Sequence, residues 1–427
     1  MRQVLKLVGF AVLGVALVVT AGALLAPRDE PTPASRPEAR ETDPIAAAQR
    51  RLQRLPEDWN TWAELGMAFV QRARFTGDTG DHERARRALD RSLGIRPGNA
   101  AALTGLGALA AARHDFPAAL RHGRAALAVD SYRAAALGVV ADALTELGRY
   151  EEAFATVQWM VDLRPDAASY ARASYTWELR GDVGRATDAM RRALNAATTA
   201  EDAAFAEYHL GELAYGMGDL GAAGTHFARG LRLAPGYPPL LIGQARTRAA
   251  RGETAAAVAD FRAVVAAAPS PGYAAELGDL LRSLGRTPDA AQQYALAKAG
   301  WAASAESGRP PEPDGVLFAV DQRDPAALSL AQRLYARQPG IGAADALGWA
   351  LRTAGRPGDA LRRADEALRL NTASALLHYH RGMILVDLGR IGAARAELTT
   401  ALRLNPHFSI RHAPLARAAL ASLIGAR

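Results

Sequence analysis

Two histidine pairs and one pair of carboxylates are the residues of this 427-residue chain whose types and spacing suit chemistry. His378 and His380 have the composition of a metal pair. A spacing of two on a helix turns the side chains about 200° apart, so packing or surface roles suit them better than one shared ion. His407 and His412 lie just after Pro406, with no carboxylate near them in sequence to complete a zinc site. Glu151 and Glu152 stand side by side as an acid–base pair would, but at a helix start two acids simply favour the positive end of the dipole. The phosphate-cradling pattern G-x4-G-K-S/T, the nucleophile elbow G-x-S-x-G and the zinc pattern H-E-x-x-H are all missing. With no cysteine, thiol catalysis is impossible. The expectation is a protein that is not an enzyme and holds no cofactor and no metal.

What positions these residues is a repeat. Ala85, Ala119, Ala153, Ala186, Ala223, Ala257, Ala290, Ala327, Ala360 and Ala394 recur at gaps of 33 to 37 residues. Such a period marks a solenoid in which each unit covers the apolar face of the next. An apolar–small dipeptide usually lies thirteen residues upstream, as in Leu106-Gly107, Leu210-Gly211, Leu277-Gly278 and Leu347-Gly348. Glycine recurs five residues upstream at Gly148, Gly181, Gly218, Gly252, Gly285, Gly355 and Gly389, where a left-handed residue ends a first helix. Proline twelve residues downstream, at Pro97, Pro165, Pro235, Pro269, Pro339 and Pro406, stops the second helix. The alanine itself suits a close helix crossing.

This pattern resembles the tetratricopeptide repeat, whose signature is W-x2-L-G-x2-Y followed by A, F, A and P at fixed offsets. Leu147-Gly148-Arg149-Tyr150-Glu151-Glu152-Ala153 matches it locally, and Leu388-Gly389-Arg390-Ile391 repeats its logic. Trp62, Leu65, Gly66 and Phe69 reproduce the opening of the motif, after which about seven extra residues are expected to lengthen the first turn. The resemblance runs from about residue 45 to 410 and is broken at Ser131, Thr198, Ala302 and Thr372, which replace the terminal proline. The unit centred on Ala327 is degenerate in its first helix. The resemblance implies an all-α, right-handed superhelical solenoid of about ten helix–turn–helix repeats.

Composition agrees with helices and excludes other classes. Hydrophobic residues make up 49% of the chain but aromatics only 6%, which favours closely packed helices over sheet. The net charge of +7 comes from arginines interspersed with acids, with Lys6 and Lys298 as the only lysines. No dense basic cluster alternates with aromatics, so nucleic acid is not the expected partner.

Residues 7–26 carry no charge, follow Arg2 and Lys6, and precede Arg28-Asp29-Glu30. Twenty helical residues span about 30 Å, enough for a bilayer core. Residues 1–26 are therefore expected to form a signal-anchor, giving a single-pass membrane protein with the repeats outside the cytoplasm. The alternative is a secreted protein cleaved after the small residues Ala21-Gly22-Ala23. No cysteine follows the run to serve as a lipoprotein anchor. The proline-rich residues 27–43 read as an extended tether.

The remaining segments follow the punctuation. Residues 44–300 are expected to hold a capping helix, with Ile45, Ala48, Leu52 and Leu55 on one stripe, and seven repeats. Residues 301–323, which include Ser307-Gly308-Arg309-Pro310-Pro311-Glu312-Pro313, read as a spacer. Residues 324–409 carry three more repeats, and 410–427 a final capping helix from Ala413 to Ile424.

In the family that the chain resembles, first helices line a concave groove. The repeat of Ala119 offers only Ala101, Thr104, Ala108, Ala111 and Ala112 there. The next offers Asp142, Thr145 and Glu146, and the following two offer Tyr175 and Glu178, then Phe205, Tyr208, Glu212 and Tyr215. Rings beside carboxylates could hold an extended, basic peptide, or some of the rings could pack between repeats. The lysine and asparagine of a carboxylate clamp are missing. The resemblance thus implies a scaffold at the bacterial cell envelope that binds partner proteins or extended peptides of unknown identity. The alternative is a module for a cell-wall polymer or small ligand.

Overall fold

The computed structural model describes residues 43–76 and 80–425. All regular structure among them is helical, in 22 helices. The chain divides into two compact units, with the boundary along the sequence between Val139 and Val140.

In the first unit, α1 (Pro44–Arg54) precedes the pair α2 (Trp59–Thr76) and α3 (Gly80–Ile95) and the pair α4 (Ala100–Ala112) and α5 (Phe116–Val129). The first half of α6 (Ala134–Glu146) completes it. Asp43 caps α1, accepting from the Ile45 N–H at 3.0 Å, and Ile45, Ala48 and Leu52 are buried. Leu55 departs from the expected stripe: it follows the helix and is 51% exposed. The extra residues after Phe69 do not simply lengthen a turn, because α2 runs for 18 residues where α4 has 13. Asp81, fully buried at the start of α3, receives both Nε and Nη2 of Arg72 at 2.7 Å and ties the longer helix to its partner.

The second unit holds the rest of α6 with α7 (Tyr150–Leu163), then α8 (Ala167–Leu179) with α9 (Val183–Asn195), and α10 (Ala200–Gly216) with α11 (Leu220–Leu233). Next come α12 (Pro238–Ala250) with α13 (Thr254–Ala267), α14 (Pro271–Ser283) with α15 (Thr287–Glu306), and α16 (Pro313–Asp321) with α17 (Ala327–Arg337). The pairs α18 (Ile341–Thr353) with α19 (Pro357–Ala367) and α20 (Ala375–Asp387) with α21 (Ile391–Leu404) follow, and α22 (His412–Gly425) closes the chain. In α22, Ala413 and Ala416 are buried while Ile424 is 51% exposed.

The repeat logic explains these lengths. Nine of the ten signature alanines are at most 1% exposed, at helix crossings where a longer side chain has no room. The expected glycines all adopt positive φ, from +68° to +79°. The same place is held by His114 in the second repeat, at φ 56°, and by Arg323 in the eighth, at φ 55°. Arg323 lies four residues before Ala327, not five, so that repeat is shifted by one and its tightest alanine is Ala331, at 0%. Where Ala302 replaces the terminal proline, α15 continues to 20 residues. Residues 301–323, read from sequence as a spacer, thus hold the end of α15 and all of α16.

Within the second unit the array winds back on itself. The Ile341 N–H donates to the Tyr150 hydroxyl at 2.7 Å across 191 residues. The Thr372 hydroxyl donates to the Leu179 carbonyl at 2.6 Å across 193. The Tyr215 hydroxyl donates to the His407 carbonyl at 3.0 Å across 192, and Asn405 Nδ2 to the Tyr215 carbonyl at 2.7 Å across 190. At three successive repeats the turn between the paired helices therefore meets the chain that follows the second helix five repeats later.

Residues 1–42, including the apolar run 7–26 and the tether, lie outside the described residues. Among the described residues, no helix is long and apolar enough to cross a membrane.

Candidate functional site

The first helices α6, α8, α10, α12, α14 and α16 place a continuous run of acids and tyrosines in mutual electrostatic reach. Glu146 lies near Asp142 and Tyr175, Glu178 near Tyr175 and Glu212, and Tyr208 near Glu212, Arg246, Tyr237 and Tyr273. Asp314 continues the run toward Glu276 and Arg246.

The eight residues singled out from sequence divide by what holds them. Asp142 receives Nε and Nη2 of Arg172 at 2.9 and 2.8 Å, and Arg172 is 2% exposed, so that charge is neutralised in place. Glu212 shares Arg246 with Glu276: the guanidinium reaches Glu276 twice at 2.6 Å and Glu212 at 3.3 Å. Phe205 packs its ring 4.3 Å from that of His209, and Tyr208 sits edge-on to Tyr237 at 6.3 Å. Tyr215 is committed to the His407 carbonyl. Tyr175, Glu178, Phe205 and His209 close around a small cavity of ≈ 10 Å³.

Glu146 and Glu178 differ from the others. Both are half-buried, and no hydrogen bond or ion pair reaches either carboxylate among the described residues. Burial, and then the neighbouring Asp142, push the Glu146 carboxyl up to about 7. Burial, and then Glu212, push Glu178 to about 7 as well. Burial also raises Tyr175 and Tyr208 well above the ordinary tyrosine range. Two carboxyls raised in this way, whose ionised form a nearby cation would favour, are the chemically responsive part of this run.

Sequence reasoning missed the basic partners. Arg246 stands 34 residues after Glu212, at the same place in the next first helix. The groove positions simply needed carrying one repeat further. Arg172 gave no comparable signal, because its burial depends on Asp142, 30 residues earlier in the preceding first helix.

The histidines have separate partners. His378 Nδ1 lies 2.6 Å from Glu397, and His380 Nδ1 lies 2.9 Å from both oxygens of Asp345. His412, which has no carboxylate near it in sequence, meets one in space: Nε2 lies 3.1 Å from Asp321, 91 residues distant. Among the described residues, no group of three or more acidic or histidine side chains is placed to hold a metal ion.

An array of paired helices with in-register alanines and left-handed glycines defines an all-helical repeat protein. Over residues 242–305 and 346–409 the chain matches the tetratricopeptide repeat family. No curated protein matches it. Among solved structures it is similar to a human IFIT1 dimer with m7Gppp-AAAA, at 16% identity over 77% of this chain and 76% of that one, with a TM-score of 0.51. It is also similar to yeast Tom70, at 11% identity over 89% and 91%, with a TM-score of 0.37. A third is TTC0263, a thermophilic repeat protein of Thermus thermophilus, at 21% identity over 43% and 98%, with a TM-score of 0.37. At these identities the likeness is one of fold.

Proposed function

We propose that the chain is a non-catalytic scaffold whose inner face binds an extended, basic segment of a partner protein. The observation that carries this reading is the pair Glu146 and Glu178, two unpartnered carboxylates flanking the Tyr175 ring in a run where Arg246 is already shared by two acids. Lysine or arginine side chains would find a counter-charge and an aromatic face together. The same charge repels phosphates, which favours a basic polypeptide over the capped oligonucleotide present with human IFIT1.

The test is calorimetric titration of the full chain with an octalysine peptide at pH 6 and pH 8. Because a bound cation favours the ionised carboxyls, affinity should rise with pH and protons should be released. Glu146→Gln with Glu178→Gln should remove the pH dependence and weaken binding by about tenfold or more. Affinity that ignores both pH and the double substitution sinks the reading.

The uncharged run 7–26 supports a location on the outer side of a cell membrane. A reporter fused after Arg427 should then behave as exported, and the protein should stay with membranes after a high-salt wash. Recovery of a soluble, trimmed protein would point to cleavage near Ala23 instead.

A further inference from the structure

A large cavity in the second unit lies between α15, α16 and α17 and is lined by residues other than those of the carboxylate run. It measures ≈ 720 Å³. It arises where the repeat is irregular: α15 has 20 residues, and α16 has 9 where α14 has 13.

We propose that this cavity binds a small aromatic anion. Its floor is aromatic in a chain that is only 6% aromatic, with the Trp301 ring tilted against Phe318 at 4.7 Å and Tyr294 tilted against Phe318 at 6.0 Å. Such rings accept a planar guest in offset or edge-on contact. Only glycine at 315 lets the α16 backbone approach the indole edge this closely: a Cβ there would fall 2.9 Å from Trp301 Nε1. Among the described residues the Trp301 N–H has no acceptor, so the floor carries a free donor.

Charge at the rim is mainly basic. Lys298, Arg309, Arg323 and Arg333 line the cavity, against the acids Glu312 and Asp324. Asp324 is held by Lys298 at 3.2 Å, while Arg309 and Arg323 make no side-chain hydrogen bond or ion pair, and Arg333 makes one at 3.4 Å to Ser329. Arg323 also stands at φ 55°, where most of the other repeats have glycine. Guanidiniums above an aromatic floor match a carboxylate or sulfonate attached to a ring. The volume falls within the range of sites that enclose small organic ligands, about 300–1,000 Å³.

The test titrates the full chain with 8-anilinonaphthalene-1-sulfonate and, separately, with N-phenyl-1-naphthylamine, which has the same rings without the sulfonate. The sulfonate should bind saturably at one site per chain, and the neutral compound about tenfold or more weakly. Ala305→Phe, at an exposed position lining the cavity, should abolish binding of both. Arg309→Gln with Arg333→Gln should weaken the sulfonate about tenfold without moving the neutral compound or the melting temperature. Equal affinity for the two compounds overturns the proposal, because the rim would not be reading charge. So does sulfonate binding that survives Ala305→Phe in a chain of unchanged circular dichroism. A monomer–dimer equilibrium abolished by Ala305→Phe would assign the cavity to a second copy and overturn it equally.

Discussion

The phenolic oxygen of Tyr150 accepts a hydrogen bond from the backbone N–H of Ile341, 191 residues further along the chain. Its ring stacks on Phe154 at 6.1 Å, and the Arg369 guanidinium lies 4.9 Å from the ring centre. One side chain thus links the start of α7 to the start of α18. Tyr150→Phe keeps the ring and leaves a buried N–H without an acceptor, which costs about 1–3 kcal/mol. Chemical denaturation should show that loss in the midpoint. An unchanged midpoint would mean that the contact carries no weight.

The left-handed glycines should not be equivalent. Gly181 and Gly252 both have positive φ, at +72° and +79°. A Cβ on Gly181 would collide with the Asn371 carbonyl, whereas one on Gly252 meets nothing within 4 Å. Gly252→Ala should cost about 1 kcal/mol from backbone conformation alone. Gly181→Ala should cost clearly more, because rigid backbone has to move. Thermal melts of the two variants side by side decide the point.

Ala153 is fully buried and Ala112 is exposed. Ala153→Phe should therefore destabilise the protein by about 1–3 kcal/mol or more through overpacking, while Ala112→Phe should be close to neutral. Equal shifts in melting temperature would show that the alanines do not mark helix crossings.

Stability should depend on pH through Glu146 and Glu178. Their folded pKa values, pushed up to about 7 from an ordinary 4.5, mean that the folded chain keeps protons that the unfolded chain releases. That contribution is complete below pH 4.5 and is lost as pH rises through 7. The melting temperature should fall over this interval, with each group contributing on the order of 1 kcal/mol after solvent screening. Glu146→Gln with Glu178→Gln should flatten the profile and stabilise the protein at pH 8.

Repeat boundaries were legible because each is set by a local rule: glycine for a left-handed turn, proline for a stop, alanine for a crossing. The lengths of α2, α10 and α15 were less so, since extra residues between signals can enter either helix or loop, and here they enter helix. The run of acids and tyrosines was half visible. The acids and tyrosines were found by counting positions, but whether a carboxylate is paired depends on neighbouring helices, as Asp142 with Arg172 and Glu212 with Arg246 show. Tyr215 illustrates the limit: it is a groove residue by position, yet it is used by the fold to hold His407. Nothing within 100 residues of it announces that role.

The spacing of the ties across the second unit has an evolutionary consequence. Repeat arrays ordinarily gain and lose units by recombination between similar segments, because each unit touches only its neighbours. Here Tyr150, Leu179 and Tyr215 meet residues 191, 193 and 192 positions onward. Deleting or duplicating one unit between them would bring every one of these residues opposite the wrong loop at once. The number of repeats in this stretch is consequently frozen, like the tooth count of two meshed gears, and homologues should vary in sequence there but not in length.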